Sequence, residues 1–479
     1  PKPKPKPKPK PKPKPTMNAL RRVCIVGSGP SGFYAAKYLL AAVPTLHVHI
    51  IDRLVTPFGL VRSGVAPDHP EVKSVQNDFT SVAAEHAERF RYMGNVEVGK
   101  DVSLAELGGA YDATICAYGA AGDSAMGVPG EDAPGVLPAR AFVNWYNGHP
   151  EYSWVGPEVD AALSSNPKAV IVGNGNVALD CARVLSKTPA ELADSDMAKA
   201  AADVLARFQP AEHVSVVGRR GAAQAACTIK ELRELTKLEA SVCEVDAAEL
   251  ELGMTPASAE EVAAARPRKR LHKLFEDISN GASKGMTLPS KKILSRCTLR
   301  FLLQPTEVLT APDGRAAGLR CVRTSLSGAA GAQRADPTGE MVDIDAGLVL
   351  RSIGYRSLPL EGLPFDAERG VALHEHGRCN PGLYVAGWLK RGPRGIIGTN
   401  IADAKETVKA VLEDAQAGAI GGAELAPLPG ALEAPGVVSW DAWLKVDAAE
   451  AAAGAAAGKP REKLADREAL LAAAAVAGA

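Results

Sequence analysis

The chain has 479 residues, 46% of them hydrophobic, and its 55 Lys+Arg balance 55 Asp+Glu. That length exceeds one ordinary core and calls for two or three domains. Zero formal charge excludes a global field steering the chain toward nucleic acid or acidic membranes, and no apolar run is long enough to span a bilayer.

Pro1 to Pro15 alternate proline and lysine. Proline blocks helix and the lysines repel, so this stretch reads as an extended, disordered tail outside the fold, with Met17 as the natural start. It has neither the Arg/Ser-rich amphipathic character of a mitochondrial transit peptide nor the apolar core of a secretory signal.

A short apolar strand, Val23 to Val26, then runs into Gly27-x-Gly29-x-x-Gly32, and a helical pattern follows from about Ser31 to Ala42. Gly27 permits a tight turn, Gly29 lets a pyrophosphate approach the backbone, and Gly32 lets helix and strand pack closely. The phosphates would sit on the unpaired N–H groups at the helix N-terminus. The next strand, Leu46 to Ile51, ends on Asp52, the spacing at which a carboxylate binds a ribose hydroxyl. Strand, turn, helix, strand and acid specify a dinucleotide without saying which.

Thr56 to Pro70 is rich in Gly and Pro, hence a loop, yet it carries Phe58, Leu60, Val61 and Val65. Such side chains serve as core plugs or as ligand contacts; directly after a ribose-binding position, contact with a flavin ring is the favoured reading. A helix from about Glu71 to Phe90 and short strands at 96–98 and 111–116 continue the α/β pattern.

A second start appears at Ala169 to Val172, which feeds Gly173-x-Gly175-x-x-Ala178 and another helix. Alanine is an accepted third position. A linker is expected near Asn147 to Pro167, where Pro, Gly and Ser cluster. The strand His213 to Gly218 ends not on an acid but on Arg219-Arg220. Guanidinium groups clamp a ribose 2′-phosphate that a carboxylate would repel, so this site should take NADP(H) and the Asp52 site a nucleotide without that phosphate. The alternative is two solvated arginines at a strand end.

Thr228 to Leu235 reads as a helix and Pro256 to Val262 as a loop. Arg266-Pro-Arg-Lys-Arg270 is a compact basic cluster. It is a solvated face, a nucleic-acid patch or a docking site; without interleaved aromatics in a neutral chain, docking of an acidic protein is favoured. A strand from Gly347 to Ser352 precedes Gly382 to Thr399, a strand and a glycine-dense turn with Trp388 offering a flat face for stacking, then a helix from about Asn400. The Ala-rich end, from about Ala448, reads as helical and peripheral. Eight dispersed cysteines without a CxxC read as buried thiols in a reducing compartment, which argues against an iron–sulfur cluster or a redox-active disulfide on this chain.

Val26 to Tyr34, Pro57 to Pro70, Gly173 to Arg183, Val217 to Arg220, Thr228 to Leu235 and Gly387 to Gly398 together resemble the adrenodoxin reductase family, mitochondrial-type NADPH:ferredoxin reductases with bacterial relatives. The likeness runs from Arg22 to about Leu464. It implies an α/β fold of two Rossmann-like dinucleotide-binding domains, the NADP domain inserted into the FAD domain. The expected divisions are a tail at 1–16, FAD domain at 17–125, NADP domain at 126–344, and the rest of the FAD domain with a C-terminal extension at 345–479. It also implies a flavoenzyme in which NADPH reduces FAD by hydride transfer and single electrons then pass to a [2Fe–2S] ferredoxin.

Carried over residue by residue, FAD falls to Gly27, Gly29, Ser31, Gly32, Asp52, Leu60, Val98, Trp388, Gly395, Ile396 and Ile397. NADP falls to Gly175, Asn176, Val177, Ala178, Arg219, Arg220, Glu231 and Gly395. His69, Asp180 and Glu231 are the catalytic candidates, with His69 and Asp180 matching a polar pair near the flavin; no metal is assigned. On their own, His69 could be a loop hydrogen-bonder and Asp180 an early-helix acid favoured by the macrodipole. Arg233 and Arg266 to Arg270 match the docking face for an acidic ferredoxin; no nucleic acid or membrane partner and a monomer are expected. The resemblance implies the mitochondrial matrix, with the cytoplasm as alternative. Two departures stand out: Gly221-Ala-Ala-Gln replaces the usual Gly-Pro-Leu-Gln, and Arg394 a usual Thr. A thioredoxin-reductase-like enzyme, a flavin monooxygenase and a dinucleotide-sensing subunit without turnover are the competing readings.

Overall fold

The computed structural model describes residues 20–281 and 293–475; the Pro-Lys stretch and Met17 lie outside them. Short Val- and Ile-rich runs form strands covered on both faces, as parallel sheets require. The first sheet has six strands, in the order Arg378–Asn380, Leu383–Val385, Ala113–Cys116, Arg22–Val26, His47–Asp52, Phe90–Gly94. Only the edge pair Arg378–Asn380 and Leu383–Val385 is antiparallel. Its register sets Val26 beside Ile51 on one side and Cys116 on the other. After Arg22–Val26 the chain adds His47–Asp52 and Phe90–Gly94 on one side and then crosses to Ala113–Cys116 on the other, and the carboxyl ends of the strands at such a reversal are where ligands bind in open α/β sheets.

The second sheet is wholly parallel, in the order Val136–Pro138, Leu348–Arg351, Lys168–Val172, His213–Val217, Ser295–Arg300, Ser241–Val245. Leu303–Thr310, Ala316–Ser327 and Arg334–Asp345 add a three-stranded antiparallel sheet. The chain passes between the two large sheets side by side, Gly122–Asp123 pairing with Tyr355–Arg356. Arg140 clamps Asp123 through two hydrogen bonds of 2.9 and 2.7 Å.

Several expectations are corrected. Leu348–Arg351 pairs with both Lys168–Val172 and Val136–Pro138, so it belongs to the second sheet; the chain crosses back at Tyr355–Arg356, not at 345, and rejoins the first sheet at Arg378–Asn380. The stretch 147–167 is not a linker: Val155–Ser165 is a helix with Val155, Val159, Ala162 and Leu163 buried at helical spacing. Pro157 sits in its first turn, where a missing N–H breaks nothing. Pro256–Ala264 is a helix capped by Thr255, not a loop. Glu71 to Phe90 divides into helices Pro70–Lys73 and Val75–Glu85, and Phe90 opens a strand.

The Ala-rich end is not peripheral. Helix Trp440–Ala456 buries Trp443, Val446 and Glu450, one side of the helix at steps of three and four. Glu450, 0% exposed, accepts two hydrogen bonds from Arg62 (2.8 and 2.6 Å) and one from Arg461 (2.9 Å). Among the described residues no helix is long and apolar enough to cross a membrane.

Candidate functional site

The three glycines of the first turn meet three different constraints. Gly27 has φ +107°, and its N–H donates to the Ile51 carbonyl at 2.7 Å. A Cβ on Gly32 would stand 2.1 Å from the Gly27 carbonyl oxygen. A Cβ on Gly29, at the N-cap of helix Pro30–Ala42, would meet no protein atom within 4 Å. The first two glycines are therefore needed by the fold, while Gly29 is the one facing open space at a helix N-terminus, where anions bind. Asp52 is fixed beside this turn: Ser28 donates to it through its N–H (2.8 Å) and hydroxyl (2.5 Å), and Leu54 through its N–H (2.9 Å).

The loop after Asp52 folds over the turn, Phe58 N–H donating to the Ser28 carbonyl at 3.0 Å. Its apolar side chains divide. Phe58 and Val61 are core plugs, the Phe58 ring packing on Phe33 and Trp443, while Leu60 stays half-buried at the start of helix Leu60–Ser63. A flavin contact for the loop thus narrows to Leu60 and the half-buried Val65. Val98 lies close by in the chain, since Val96 N–H donates to the Asp52 carbonyl at 3.0 Å.

From the other side comes the return segment. A Cβ on Gly387 would stand 2.1 Å from Ser31 Oγ, and that hydroxyl donates to Asn400 Oδ1 at 2.9 Å. Ser31 is thereby locked between the first turn and helix Thr399–Gln416. Trp388 is half-buried, its ring 5.6 Å from that of Tyr355 at the crossover. Gly395 (φ +88°) and Ile396 are exposed, whereas Ile397 packs against the first core. Arg394 is exposed beside them, with its carbonyl bonded by Arg391.

The second turn repeats the first. Gly173 has φ +119°, a Cβ there would stand 2.2 Å from the Ser352 carbonyl oxygen, and its N–H donates to Val217 at 2.8 Å. Gly175 caps helix Asn176–Ser186 and a Cβ on it would meet nothing within 4 Å. Ala178 is buried, Val177 half-buried, and Asn176 Oδ1 accepts from Thr228 N–H at 2.8 Å, drawing helix Ile229–Leu235 to the turn. Arg219 and Arg220 follow strand His213–Val217 with exposed side chains, and among the described residues neither guanidinium has an acidic partner. Two free cations at that strand end fit a ribose 2′-phosphate.

The catalytic candidates meet between the two turns. Arg183, 1% exposed, donates to both oxygens of Asp68 (2.8 and 3.0 Å) and pairs with Asp180 at 2.8 Å, Glu234 at 3.4 Å and Glu231 at 3.5 Å. His69 Nε2 lies 2.8 Å from Glu234 and 3.9 Å from Glu231. His69, Glu231 and Glu234 thus bring ligand-type atoms within 4.8 Å of one another, but the cation among these carboxylates is the guanidinium.

Charge is distributed unevenly in this cluster. Burial raises the Asp180 carboxyl above its ordinary range, against the pull of Arg183. Burial, then Asp180 and Glu234, raise Glu231. Burial works the same way on Asp68 but is outweighed by Arg183 and Lys187, which hold it well below the usual carboxylate range. The hydrogen bond to Glu234 raises His69, against burial and Arg183. Groups whose proton affinities are pushed apart within one cleft are what proton handling near neutrality requires.

Comparison with known proteins decides the family. Residues 21–234 match the model of the pyridine nucleotide-disulphide oxidoreductase family, a span holding both turns. The NADPH:adrenodoxin oxidoreductase of Bos taurus is 45% identical over 95% of this chain and 92% of its own. The chain belongs to the NADPH:adrenodoxin oxidoreductase family. The Arabidopsis thaliana member of that family is 44% identical, covering 95% of both chains. The NADPH-ferredoxin reductase FprA of Mycobacterium tuberculosis is 41% identical over 94% of this chain and 98% of its own. The structure of FprA in complex with NADPH superposes with a TM-score of 0.85, at 40% identity, over 95% of this chain and all of that one. Two Rossmann-type dinucleotide units, FAD and NADP(H) as cofactors and an oxidoreductase chemistry are thus properties of this adrenodoxin-reductase-type chain.

Sequence reasoning missed the residues that join these parts. Asp68 stands next to His69 in a loop, Arg183 one turn after Asp180, and Glu234 one turn after Glu231. The spacing of three on both helices was the available signal, since it puts each pair on one face. Nothing local announces Asn400 as the partner of Ser31, or Glu450 as the partner of Arg62.

Proposed function

We propose that this chain is an FAD-dependent NADPH:ferredoxin reductase, with a [2Fe–2S] ferredoxin as its acceptor. One observation carries the reading: two dinucleotide turns with opposite charge at the ribose end, Asp52 against Arg219-Arg220, are joined by the Asp68–Arg183 pair. Asp52 repels a 2′-phosphate and so keeps NADPH from the first site, while Arg219 and Arg220 hold it at the second. When bound, FAD supplies the conversion of a two-electron donor's reducing power into single electrons.

The chain's own residues bind and orient. Helix N-termini at Gly29 and Gly175 receive the pyrophosphates, and the exposed Gly395 and Ile396 offer backbone to the cofactors. Trp388 and Leu60 offer apolar faces to the ring system. His69, Asp180 and Glu231 hold charge and protons at the junction around Arg183. The domains run from 20 to about 123 and from about 355 onward for FAD, with the NADP unit between.

Arg233, Arg266, Lys269, Arg270 and Lys273 line one concave patch of about 610 Å³. Glu276 and Asp277 also line it and pair with Lys273, but the patch keeps a net positive charge, which supports docking of an acidic ferredoxin there. The mitochondrial names of the Bos taurus and Arabidopsis thaliana relatives support the mitochondrial matrix as the compartment, with the cytoplasm as alternative. Mixing yellow holoenzyme with NADPH and then with ferredoxin tests the function. Bleaching followed by ferredoxin reduction is expected; oxygen-dependent turnover of a small substrate without ferredoxin would replace this reading with a monooxygenase.

A further inference from the structure

The basic run Arg266-Pro-Arg-Lys-Arg270 lies on one helix, Arg266–Ser279, but not on one face. At about 100° per residue, Arg266, Lys269, Arg270 and Lys273 share one side, and all four line the concave patch with Arg233. Arg268 points the opposite way, toward the side on which Leu271 and Phe275 are buried. There its Nη1 meets Glu261 Oε2 at 2.8 Å and the Ala223 carbonyl at 3.4 Å.

Both acceptors belong to the surroundings of the NADP loop. Ala223 lies in the short turn Ala222–Gln224, which directly follows Arg219-Arg220-Gly221. Glu261, on helix Pro256–Ala264, accepts hydrogen bonds from Gly331 N–H (2.7 Å), Gln333 (3.1 Å) and Gln224 (3.3 Å). Gln224 donates also to Ser258 at 3.2 Å. The turn needs these ties, because Ala222 and Ala223 contribute neither a ring constraint nor a polar side chain.

We infer that Arg268 is a positioning residue for NADPH specificity: through Glu261 and the Ala223 carbonyl it fixes the turn that aims Arg219 and Arg220, and it takes no part in the ferredoxin-docking face. The inference rests on the proposed NADPH:ferredoxin activity. A basic run that composition assigns to one partner is thereby divided between two, its outer face to the protein acceptor and Arg268 to the nucleotide donor. The Arg268 side chain is 49% exposed, so its replacement opens no core.

The test uses FAD-loaded enzyme carrying Arg268→Met, Arg268→Lys or Arg270→Met. KM and kcat for NADPH and NADH are measured with ferricyanide as acceptor, and KM for ferredoxin separately. Arg268→Met is expected to raise the NADPH KM roughly five- to tenfold, the range of one net hydrogen bond, with kcat, the NADH KM and the ferredoxin KM changed by less than about twofold. Arg268→Lys, which keeps a cation for Glu261, recovers most of the loss, whereas Arg270→Met raises only the ferredoxin KM. An unchanged NADPH:NADH ratio with a raised ferredoxin KM in Arg268→Met would overturn the inference, as would an equal rise for both nucleotides. Arg219→Ala/Arg220→Ala is run alongside: if it leaves the nucleotide preference intact, the NADPH assignment fails and the inference with it, so the two failures are told apart.

Discussion

Asp68 and Arg183 form a two-bonded ion pair, Nε to Oδ2 at 2.8 Å and Nη2 to Oδ1 at 3.0 Å, that ties the loop after the first dinucleotide turn to the helix after the second. Lys187 adds a third contact to Asp68 at 2.7 Å. Both side chains are buried, so the pair pins that loop to that helix.

Removing one partner of a buried pair leaves the other charge uncompensated. Arg183→Met takes the cation from Asp180 and leaves Asp68 to Lys187 and Glu234 to His69, and should cost about 3–5 kcal/mol. Urea unfolding of the holoenzyme measures this; a loss under about 1 kcal/mol would mean that the pin carries no load.

The His69–Glu234 contact predicts a pH window. His69 has a raised proton affinity in the fold, so its contribution is complete below about pH 6.5 and is lost as pH rises through its folded value. Glu234 is held low, since His69 and Arg183 outweigh its burial; its contribution is present above about pH 4.3 and is lost as pH falls through its folded value. His69→Gln should therefore flatten the decline in stability on the alkaline side of about pH 6.5. A decline of wild-type steepness in the variant would show that other groups cause it.

The two exposed arginines give a specificity prediction. Replacing Arg219 and Arg220 by Ala removes two charge-assisted contacts to a 2′-phosphate, so the kcat/KM preference for NADPH over NADH should fall roughly 100-fold. Steady-state rates with both nucleotides check it. A preference that survives would move the 2′-phosphate elsewhere.

The first turn separates fold from ligand. Gly29→Ala adds a Cβ that touches no protein atom, so the chain should fold while losing most of its FAD. Gly32→Ala drives a Cβ into the Gly27 carbonyl and should unfold the turn itself. Flavin content and circular dichroism of the two proteins distinguish these fates; full FAD occupancy in Gly29→Ala would contradict the assignment.

The turns were legible because their requirements are local. A positive φ at Gly27 and Gly173 and a carbonyl pressed on Gly32 are written into six consecutive residues at each turn. Arg219-Arg220 was legible for the same reason, standing where a strand must end. What sequence could not supply was convergence. Phe58 reads by its place in the loop as a flavin contact, and only Phe33 and Trp443, from distant segments, closing on its ring make it a core plug. Stretch 147–167 has linker composition, and only the burial of Val155, Val159 and Leu163 makes it a helix. Leu348–Arg351 reads as the start of the return because nothing in four residues says which sheet will pair with them. The basic run shows its charge in sequence, but its division between two faces appears only on the helix.

Rapid mixing of the FAD enzyme with NADPH and then with a [2Fe–2S] ferredoxin, repeated over a range of salt concentrations, tests the central claim most directly. At saturating NADPH the flavin should bleach at a rate insensitive to salt, and the ferredoxin step should slow as salt screens the patch around Arg233 and Arg270. No bleaching by NADPH, or electron transfer to ferredoxin that is indifferent to salt, would contradict the account.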